Sequence, residues 1–186
     1  AIVLDVGSAI ADDTDMPQVR RVTLLSGAAF FDVEKKVRSF EVKVGDVSID
    51  VIGTSFSVEK TRGAVEVSVK SGQVQVRAEL DTIDLTAGQR LRLTSDGRQI
   101  DQIAPTRIAP WLQDQMLMDG ISLAAVIDIL DRRLAGPIIL RNEAVAQRLV
   151  SGGIDLSAPE DALRALALSQ GASVVHVPGL GAYIRP

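Results

Sequence analysis

The chain has 186 residues, of which 46% are hydrophobic and 24% are charged, the ordinary balance of a folded domain. Its net charge of −4 argues against a nucleic-acid-binding protein, because such proteins carry an excess of positive charge. The absence of cysteine excludes disulfides, thiolate catalysis and cysteine zinc sites. No apolar run approaches the roughly 18 residues of a spanning helix, and no basic-then-apolar signal segment opens the chain.

The first 18 residues combine a short apolar run with an acidic cluster that precedes Pro17. The cluster consists of Asp12, Asp13 and Asp15. A calcium-binding loop needs a fixed ladder of ligands that ends in a bidentate carboxylate, and this spacing does not supply one. The cluster is therefore predicted to form an exposed turn, and no metal site is expected.

Residues 21–103 show alternating β-branched residues and no helical stripe, which predicts short strands separated by glycine turns. The predicted strands are 22–25, 29–33, 40–44, 47–52, 55–58, 83–86 and 91–94. Such a pattern is typical of an antiparallel sandwich, a barrel or a solenoid-like stack, and the sequence leaves all three open. No helix of three turns fits in this segment.

The clearest predicted hairpin covers residues 63–78. Valines alternate with polar residues on both sides of Ser71-Gly72, which is a suitable two-residue turn. That turn would place Val69 opposite Val74 and bring opposite charges together on the other face.

Residues 111–186 contain one pattern twice: a short apolar run, an amphipathic helix, a glycine and a second apolar run. Gly136 and Gly171, which lie 35 positions apart (171 minus 136), are predicted to take the left-handed conformation that ends a helix. The pattern predicts a β-α-β unit repeated in tandem.

Two helices are predicted in this segment. The first opens at Ser122, because apolar residues then recur with the helical period. The residues of this stripe are Leu123, Val126, Ile127, Leu130 and Leu134. The second opens at Ser157, which would form a capping box with Glu160, and Pro159 is tolerated in its first turn.

Several blocks of this sequence resemble the FecR family of regulators. They are 27–33 (Gly-Ala-Ala-Phe-Phe-Asp-Val), 53–58 (Gly-Thr-Ser-Phe-Ser-Val), 67–76, and 85–89 with its Ala-Gly-Gln turn, followed by Trp111 and Asp119-Gly120. The repeated segment after Trp111 resembles the short N-terminal signalling domain (STN) that secretins and TonB-dependent receptors share. Ala28 departs from the family, which often has an acidic residue at that position.

The resemblance implies an α+β protein with two parts. An all-β antiparallel domain would cover residues 1–105, a linker containing Trp111 would cover 106–114, and an STN-like domain of tandem β-α-β repeats would cover 115–186. The chain would be the periplasmic region of a single-pass inner-membrane regulator, whose membrane helix and cytoplasmic domain are expected outside this sequence.

The resemblance also implies the partners. The expected partner is the N-terminal signalling domain of an outer-membrane TonB-dependent transducer in a siderophore system, of the pseudobactin kind. The missing cytoplasmic domain would relay the signal to an extracytoplasmic-function sigma factor. No cofactor, metal, nucleic acid or direct siderophore contact is expected.

The predicted partner-binding residues lie on an exposed strand edge, since unpaired backbone groups there can extend a sheet into a partner. The first candidate is Met116-Leu117-Met118, an apolar run that could equally be core. Trp111 would either seal the joint between the domains or anchor a partner. Tyr183 is a further candidate.

One covalent reaction is implied by the resemblance, because some relatives resemble self-cleaving proteins. In them a threonine hydroxyl attacks the preceding glycine carbonyl and converts the amide to an ester. Gly53 and Thr54 supply the small residue and the hydroxyl, and a simple tight turn is the alternative. No other enzyme chemistry is expected, because His176 belongs to no nucleophile motif and phosphate-binding glycine motifs are absent.

Two other functions stay open at this stage. A structural assembly module of the secretin type is possible, because secretin domains form rings. A hydrolase or a wall-binding enzyme would require a pocket with converging polar groups and a perturbed acid or base.

Overall fold

The computed structural model describes residues 1–13, 19–35, 39–78, 81–177 and 181–185. The chain divides into two compact units, Ala1–Ala109 and Pro110–Pro186, and each is treated by itself below. Within the described ranges, no helix has both the length and the apolar composition needed to cross a bilayer.

The first unit is an eleven-stranded sheet. Its strands are β1 (Ile2–Leu4), β2 (Ala9–Asp13), β3 (Val19–Asp32), β4 (Ser39–Val44), β5 (Val47–Val51), β6 (Ser55–Lys60), β7 (Ala64–Ser71), β8 (Gln73–Ala78), β9 (Asp81–Thr86), β10 (Gln89–Thr94) and β11 (Gly97–Gln102). The strand order is β11-β10-β7-β6-β3-β4-β5-β8-β9, and β1 and β2 also pair with β3.

Strand β3 joins the two halves of this sheet, since its beginning pairs with β4 and its end pairs with β6. Strands of both halves contribute to one apolar core. At its centre, the ring of Phe31 lies 5.1 Å from that of Phe56 and 5.9 Å from that of Phe40. The sequence left open a sandwich, a barrel or a solenoid-like stack, and the structure shows a single sheet curled around one core. The predicted all-antiparallel pairing is wrong for β3 and β4, which pair in parallel.

The predicted hairpin over residues 63–78 is wrong. β7 pairs with β6 and β10, whereas β8 pairs with β5 and β9, so the chain crosses at Gly72 from one half of the sheet to the other. Val69 and Val74 are both buried in the core, as their alternation predicted. Alternation specifies which face of a strand is buried, but it does not specify the neighbouring strand.

The beginning of the chain also differs from the prediction. Asp12 and Asp13 do not form an exposed turn, because they end β2 and lie opposite Val22 and Arg21 of β3. Asp15 lies outside the described residues.

Gly27 does not separate two strands, since β3 continues through it with φ of +81°. A Cβ at this position would fall 2.2 Å from Ser8 Oγ, and the neighbouring Ala28 N–H donates to that same oxygen at 2.9 Å. Glycine therefore permits a close approach here, whereas the sequence had suggested a turn.

The second unit contains five strands and three short helices. They are β12 (Gln115–Ser122), α1 (Leu123–Asp131), β13 (Ile138–Ile139), α2 (Glu143–Ala146), β14 (Leu149–Asp155), α3 (Pro159–Ser169), β15 (Ser173–Val177) and β16 (Gly181–Arg185). β12 and β14 form an antiparallel pair. The other sheet has the order β13-β16-β15, with β13 parallel and β15 antiparallel to β16.

The order strand, helix, strand therefore occurs twice, around α1 and around α3. The strands that flank each helix lie in different sheets, so neither copy is a parallel crossover unit in which both strands share a sheet. The turn predicted between β15 and β16 falls at residues 178–180, outside the described residues.

α1 buries Leu123, Val126, Ile127 and Leu130 of the predicted stripe, whereas Leu134 lies beyond its end and is only partly buried. α3 buries Leu163, Leu166 and Ala167.

α1 is capped by Ser122, whose hydroxyl accepts a hydrogen bond from the Ala125 N–H at 3.3 Å. Pro159 opens α3 as predicted, but the capping box is wrong. The hydroxyl of Ser157 instead donates to Asp155 at 2.6 Å.

Only one of the two repeat glycines takes the predicted conformation. Gly171 has a φ of +71°, whereas Gly136 is not in the left-handed region and α1 ends earlier, at Asp131. Gly136 is required for a different reason, because a Cβ there would lie 3.0 Å from the Cα of Gly181.

Candidate partner-binding surface

The run Met116-Leu117-Met118 lies on β12 and alternates between two environments. Met116 and Met118 are 6% and 7% exposed and belong to the core of the second unit. Leu117 is 40% exposed and points the other way. Of the two interpretations that the sequence allowed, core burial holds for both methionines, and only Leu117 is accessible to a partner.

Trp111 lies in a short 3-10 helix, Pro110–Gln113, at the start of the second unit. It is partly buried and packs against the core of that unit, where it covers apolar side chains. Tyr183, the other aromatic candidate, lies on β16 and is also partly buried.

The register of the three-stranded sheet places Tyr183 between two other apolar side chains. Val175 of β15 is directly opposite it on one side, and Ile139 of β13 is opposite it on the other. Val175 and Ile139 are 40% and 37% exposed, and Val177, two residues along β15, is 38% exposed. We call these four side chains, Ile139, Val175, Val177 and Tyr183, the outer row.

The other face of the same sheet is buried. Ala182 and Ile184 of β16 belong to the core of the second unit, and Val174 of β15 packs against it. The helices cover this face, as the contacts between α3 and β15 show. The outer row is therefore the uncovered side of a sheet that has only one face in the core.

Arg141, Arg185 and Glu143 lie beside the outer row, so positive charge is in excess there. The guanidinium of Arg141 lies over the ring of Tyr183, 5.8 Å from its centroid, and Arg185 is exposed at the end of β16. Strands β13, β15 and β16 carry no carboxylate. Glu143 lies nearby in a shallow depression with Arg141, and it accepts a hydrogen bond from Gln147 at 3.0 Å.

Of the outer row, only Tyr183 was predicted from the sequence as a partner-binding residue. Ile139, Val175 and Val177 were not predicted. A signal was present, because Ile138-Ile139 and Val174-Val175 place apolar residues on both faces of their strands. A strand that is apolar on both faces is either covered on both sides or leaves one apolar face exposed. The structure shows the second case.

The Gly53-Thr54 pair occupies a crossing between the two halves of the first unit's sheet. Thr54 is 1% exposed, and its hydroxyl donates to the Gln73 carbonyl at 2.7 Å and accepts from the Gln73 N–H at 3.3 Å. A Cβ on Gly72 would lie 2.8 Å from both the Gly53 carbonyl oxygen and the Thr54 hydroxyl. The pair thus packs against the next crossing along the chain, at Gly72, and is hydrogen-bonded to it through Gln73.

Four carboxylates among the described residues of the first unit have shifted pKa values, namely Glu41, Asp50, Glu66 and Asp101, and the first two are neighbours. Glu41 and Asp50 lie directly opposite each other on β4 and β5. Burial raises the pKa of Glu41, but the hydrogen bond and charge of Arg21, at 2.7 Å, outweigh it and leave the pKa below its ordinary value. Burial raises the pKa of Asp50 above its ordinary value, although the charge of Arg77 opposes this. In the described residues, no three His, Asp or Glu side chains group as a metal site would require.

The comparisons with known proteins agree with this architecture. Residues 1–75 match the family model described as FecR protein. No curated protein matches the chain.

Two crystal structures of a candidate anti-sigma factor from Parabacteroides distasonis ATCC 8503 have a similar fold. The 1.65 Å structure gives a TM-score of 0.86 at 22% identity and covers 98% of this chain and 88% of that one. The 2.50 Å structure gives 0.88 at 22% identity, with 99% and 88% covered. At this identity the likeness establishes the fold alone.

Together these findings support a region of a signalling regulator, a class of protein whose partners are other proteins. The chain carries a FecR-family region over residues 1–75, which confirms the FecR resemblance over that range, and the STN resemblance of the segment after Trp111 stays a prediction. The blocks at 27–33 and 53–58 lie inside the matched residues, and the block at 67–76 reaches their end.

Proposed function

We propose that this chain is the periplasmic, signal-receiving region of a transmembrane anti-sigma regulator. It binds the N-terminal signalling domain of an outer-membrane TonB-dependent siderophore transducer, and a cytoplasmic domain relays the signal to an extracytoplasmic-function sigma factor. The observation that carries this proposal is the FecR match over residues 1–75. The fold likeness to a candidate anti-sigma factor over 98% of the chain supports it.

The second unit supports a binding role in this proposal. Its three-stranded sheet leaves the outer row uncovered, and contiguous exposed apolar side chains bordered by polar ones are typical of protein-binding sites. The proposed receiver is not an enzyme. Gly53-Thr54 then serves as a structural crossing, because the Thr54 hydroxyl is already hydrogen-bonded to Gln73.

The test is isothermal titration calorimetry of the whole chain against purified signalling domains of TonB-dependent transducers. Saturable binding to one such domain is expected, and an N-terminal domain from a secretin is the control with a related fold. Binding to none of the transducer domains, together with ring-sized particles in light scattering, would contradict the proposal and favour the assembly module instead.

A further inference from the structure

We infer that the outer row and the free edge of β15 form the docking surface of the second unit, and that its occupant is an acidic, extended strand of a partner protein. The partner's identity rests on the function proposed above. The apolar side chains and the free edge of this surface belong to β13, β15 and β16.

The free edge of β15 favours the addition of a strand. Among the described residues, β15 pairs with β16 on one side and with no strand on the other. Edge strands are normally protected by lysine, proline or a bulge, because their unpaired N–H and C=O groups recruit other strands. Ser173–Val177 has the sequence Ser-Val-Val-His-Val and an unbroken register with β16, so it has none of these protections. A partner strand would extend the sheet from three strands to four.

The outer row runs across the sheet toward this free edge. Ile139, Tyr183 and Val175 lie directly opposite one another on successive strands, so the row ends at the free edge of β15. An apolar side chain on an added strand would continue the row and pack against Val175. Tyr183 would be buried further, and tyrosine is enriched at protein interfaces because its ring is apolar and its hydroxyl can stay hydrated.

Charge favours an acidic occupant. The chain as a whole has a net charge of −4, yet Arg185 is the charged residue on β13, β15 and β16, and Arg141 lies beside them. Glu143 is the nearby carboxylate, and it accepts a hydrogen bond from Gln147. Arg141 is held over the Tyr183 ring, which orients its guanidinium beside the row. A guanidinium pairs best with a carboxylate, often through two hydrogen bonds. The strand that fits this surface therefore carries Asp or Glu beside its apolar residues.

A second copy of this chain fits the surface less well. Two copies paired through β15 would offer the arginines of each copy no carboxylate from the three strands, so the charge beside the row would stay uncompensated. The row is also short, which suits one added strand better than a large symmetric interface.

The experiment compares three variants by calorimetry against the transducer signalling domain that the wild type binds. Val175→Glu adds a charge to the row, and Arg141→Glu with Arg185→Glu reverses the flanking charge. Leu168→Glu is the matched control, because Leu168 is 71% exposed on α3, which covers the opposite face of the sheet. Each surface variant should weaken binding about tenfold or more, and the control should stay within about twofold. Circular dichroism melts check that all variants remain folded.

Two further readouts test the strand pairing and the charge. Hydrogen exchange at the amides of β15 should slow in the complex, because new backbone hydrogen bonds form there. Replacing a carboxylate by lysine on the partner's edge strand should restore part of the affinity lost by Arg141→Glu with Arg185→Glu.

The outcomes separate this inference from the proposed function. Transducer binding that survives both surface variants would overturn the surface and leave the function intact. A wild type that binds no transducer domain would overturn both. Sedimentation of the wild type with phosphatidylglycerol vesicles, abolished by Val175→Glu, would assign the row to a lipid surface and overturn the protein strand as its occupant.

Discussion

The two units differ in the side chains on the outer faces of their sheets. In the first unit, cross-strand neighbours on the outer face include several pairs of opposite charge. They are Arg21–Glu41, Arg77–Asp50 and Arg90–Asp101. In the second unit, the corresponding face of the three-stranded sheet carries the outer row, and β13, β15 and β16 contain no carboxylate that could form such a pair.

This difference is the one expected between a scaffold and the proposed binding surface. The three pairs involve mostly buried or partly buried side chains, and a polar face prevents unwanted association. A sheet that instead exposes Val175, Val177 and Ile139 keeps a face that a partner can cover. The first unit therefore supplies the family's framework, and the second unit supplies the proposed contact.

The largest expected effect is Met118→Asp. Met118 is 7% exposed in the core of the second unit, so an aspartate there would bury an unpaired charge and should unfold that unit. Leu117→Asp is the matched control, because Leu117 is 40% exposed on the same strand and should tolerate the charge. Far-ultraviolet circular dichroism measures both. A folded Met118→Asp would contradict the burial that distinguishes this strand's two faces.

The next effect is Leu130→Ala. Leu130 is fully buried at the centre of the α1 stripe, and truncating it should cost about 2–5 kcal/mol through lost burial and a cavity. Leu168→Ala, at a leucine that is 71% exposed, should cost less than about 0.5 kcal/mol. Urea unfolding followed by circular dichroism gives both values. Equal losses would mean that α1 does not pack as described.

A smaller effect is expected at Thr54. Thr54→Val keeps the shape but leaves the N–H and C=O of Gln73 without their partner, which should cost about 1–3 kcal/mol in the first unit. Thr54→Ser keeps the hydroxyl and should lose less. Mass spectrometry after long incubation should show an intact wild-type chain. A fragment that begins at Thr54, absent in Thr54→Val, would restore the self-cleavage considered from the sequence.

The sequence predicted local features well where one physical cause acts. The period of Leu123, Val126, Ile127 and Leu130 correctly indicated the buried face of α1, since helical spacing alone determines it. The crossing at Gly72 could not be predicted, because a glycine with positive φ suits both a hairpin and a crossing between sheet halves. The choice depends on β5 and β9, which pair with β8 from distant positions in the sequence.

The candidate site was only partly predictable for the same reason. Tyr183 was predicted as part of an exposed strand near the end of the chain, but the outer row exists because β13, β15 and β16 are brought together by pairing that no local pattern specifies. The methionines of β12 illustrate a second case. The sequence left this apolar run open between interface and core, and the structure places Met116 and Met118 in the core.

The smallest effect expected is a pH dependence in the first unit's scaffold. The pKa of Glu41 is lowered in the folded state, since the hydrogen bond and charge of Arg21 outweigh the effect of burial. A lowered pKa contributes stability that is present above the ordinary glutamate pKa of about 4.3 and is lost as the pH falls through the lower folded value. The stability advantage of the wild type over Glu41→Gln should therefore shrink as the solution is acidified.

Asp50, directly opposite Glu41, provides a control of opposite sign. Burial raises its pKa in the folded state despite Arg77, so its ionised form is disfavoured there and its contribution to stability falls as the pH rises through the raised value. Relative to Asp50→Asn, the wild type should lose stability as the pH rises from about 3 to about 6. Urea midpoints across this range measure both slopes. Slopes of the same sign for the two variants would show that a general charge effect, and not the environments of these two carboxylates, sets the pH dependence.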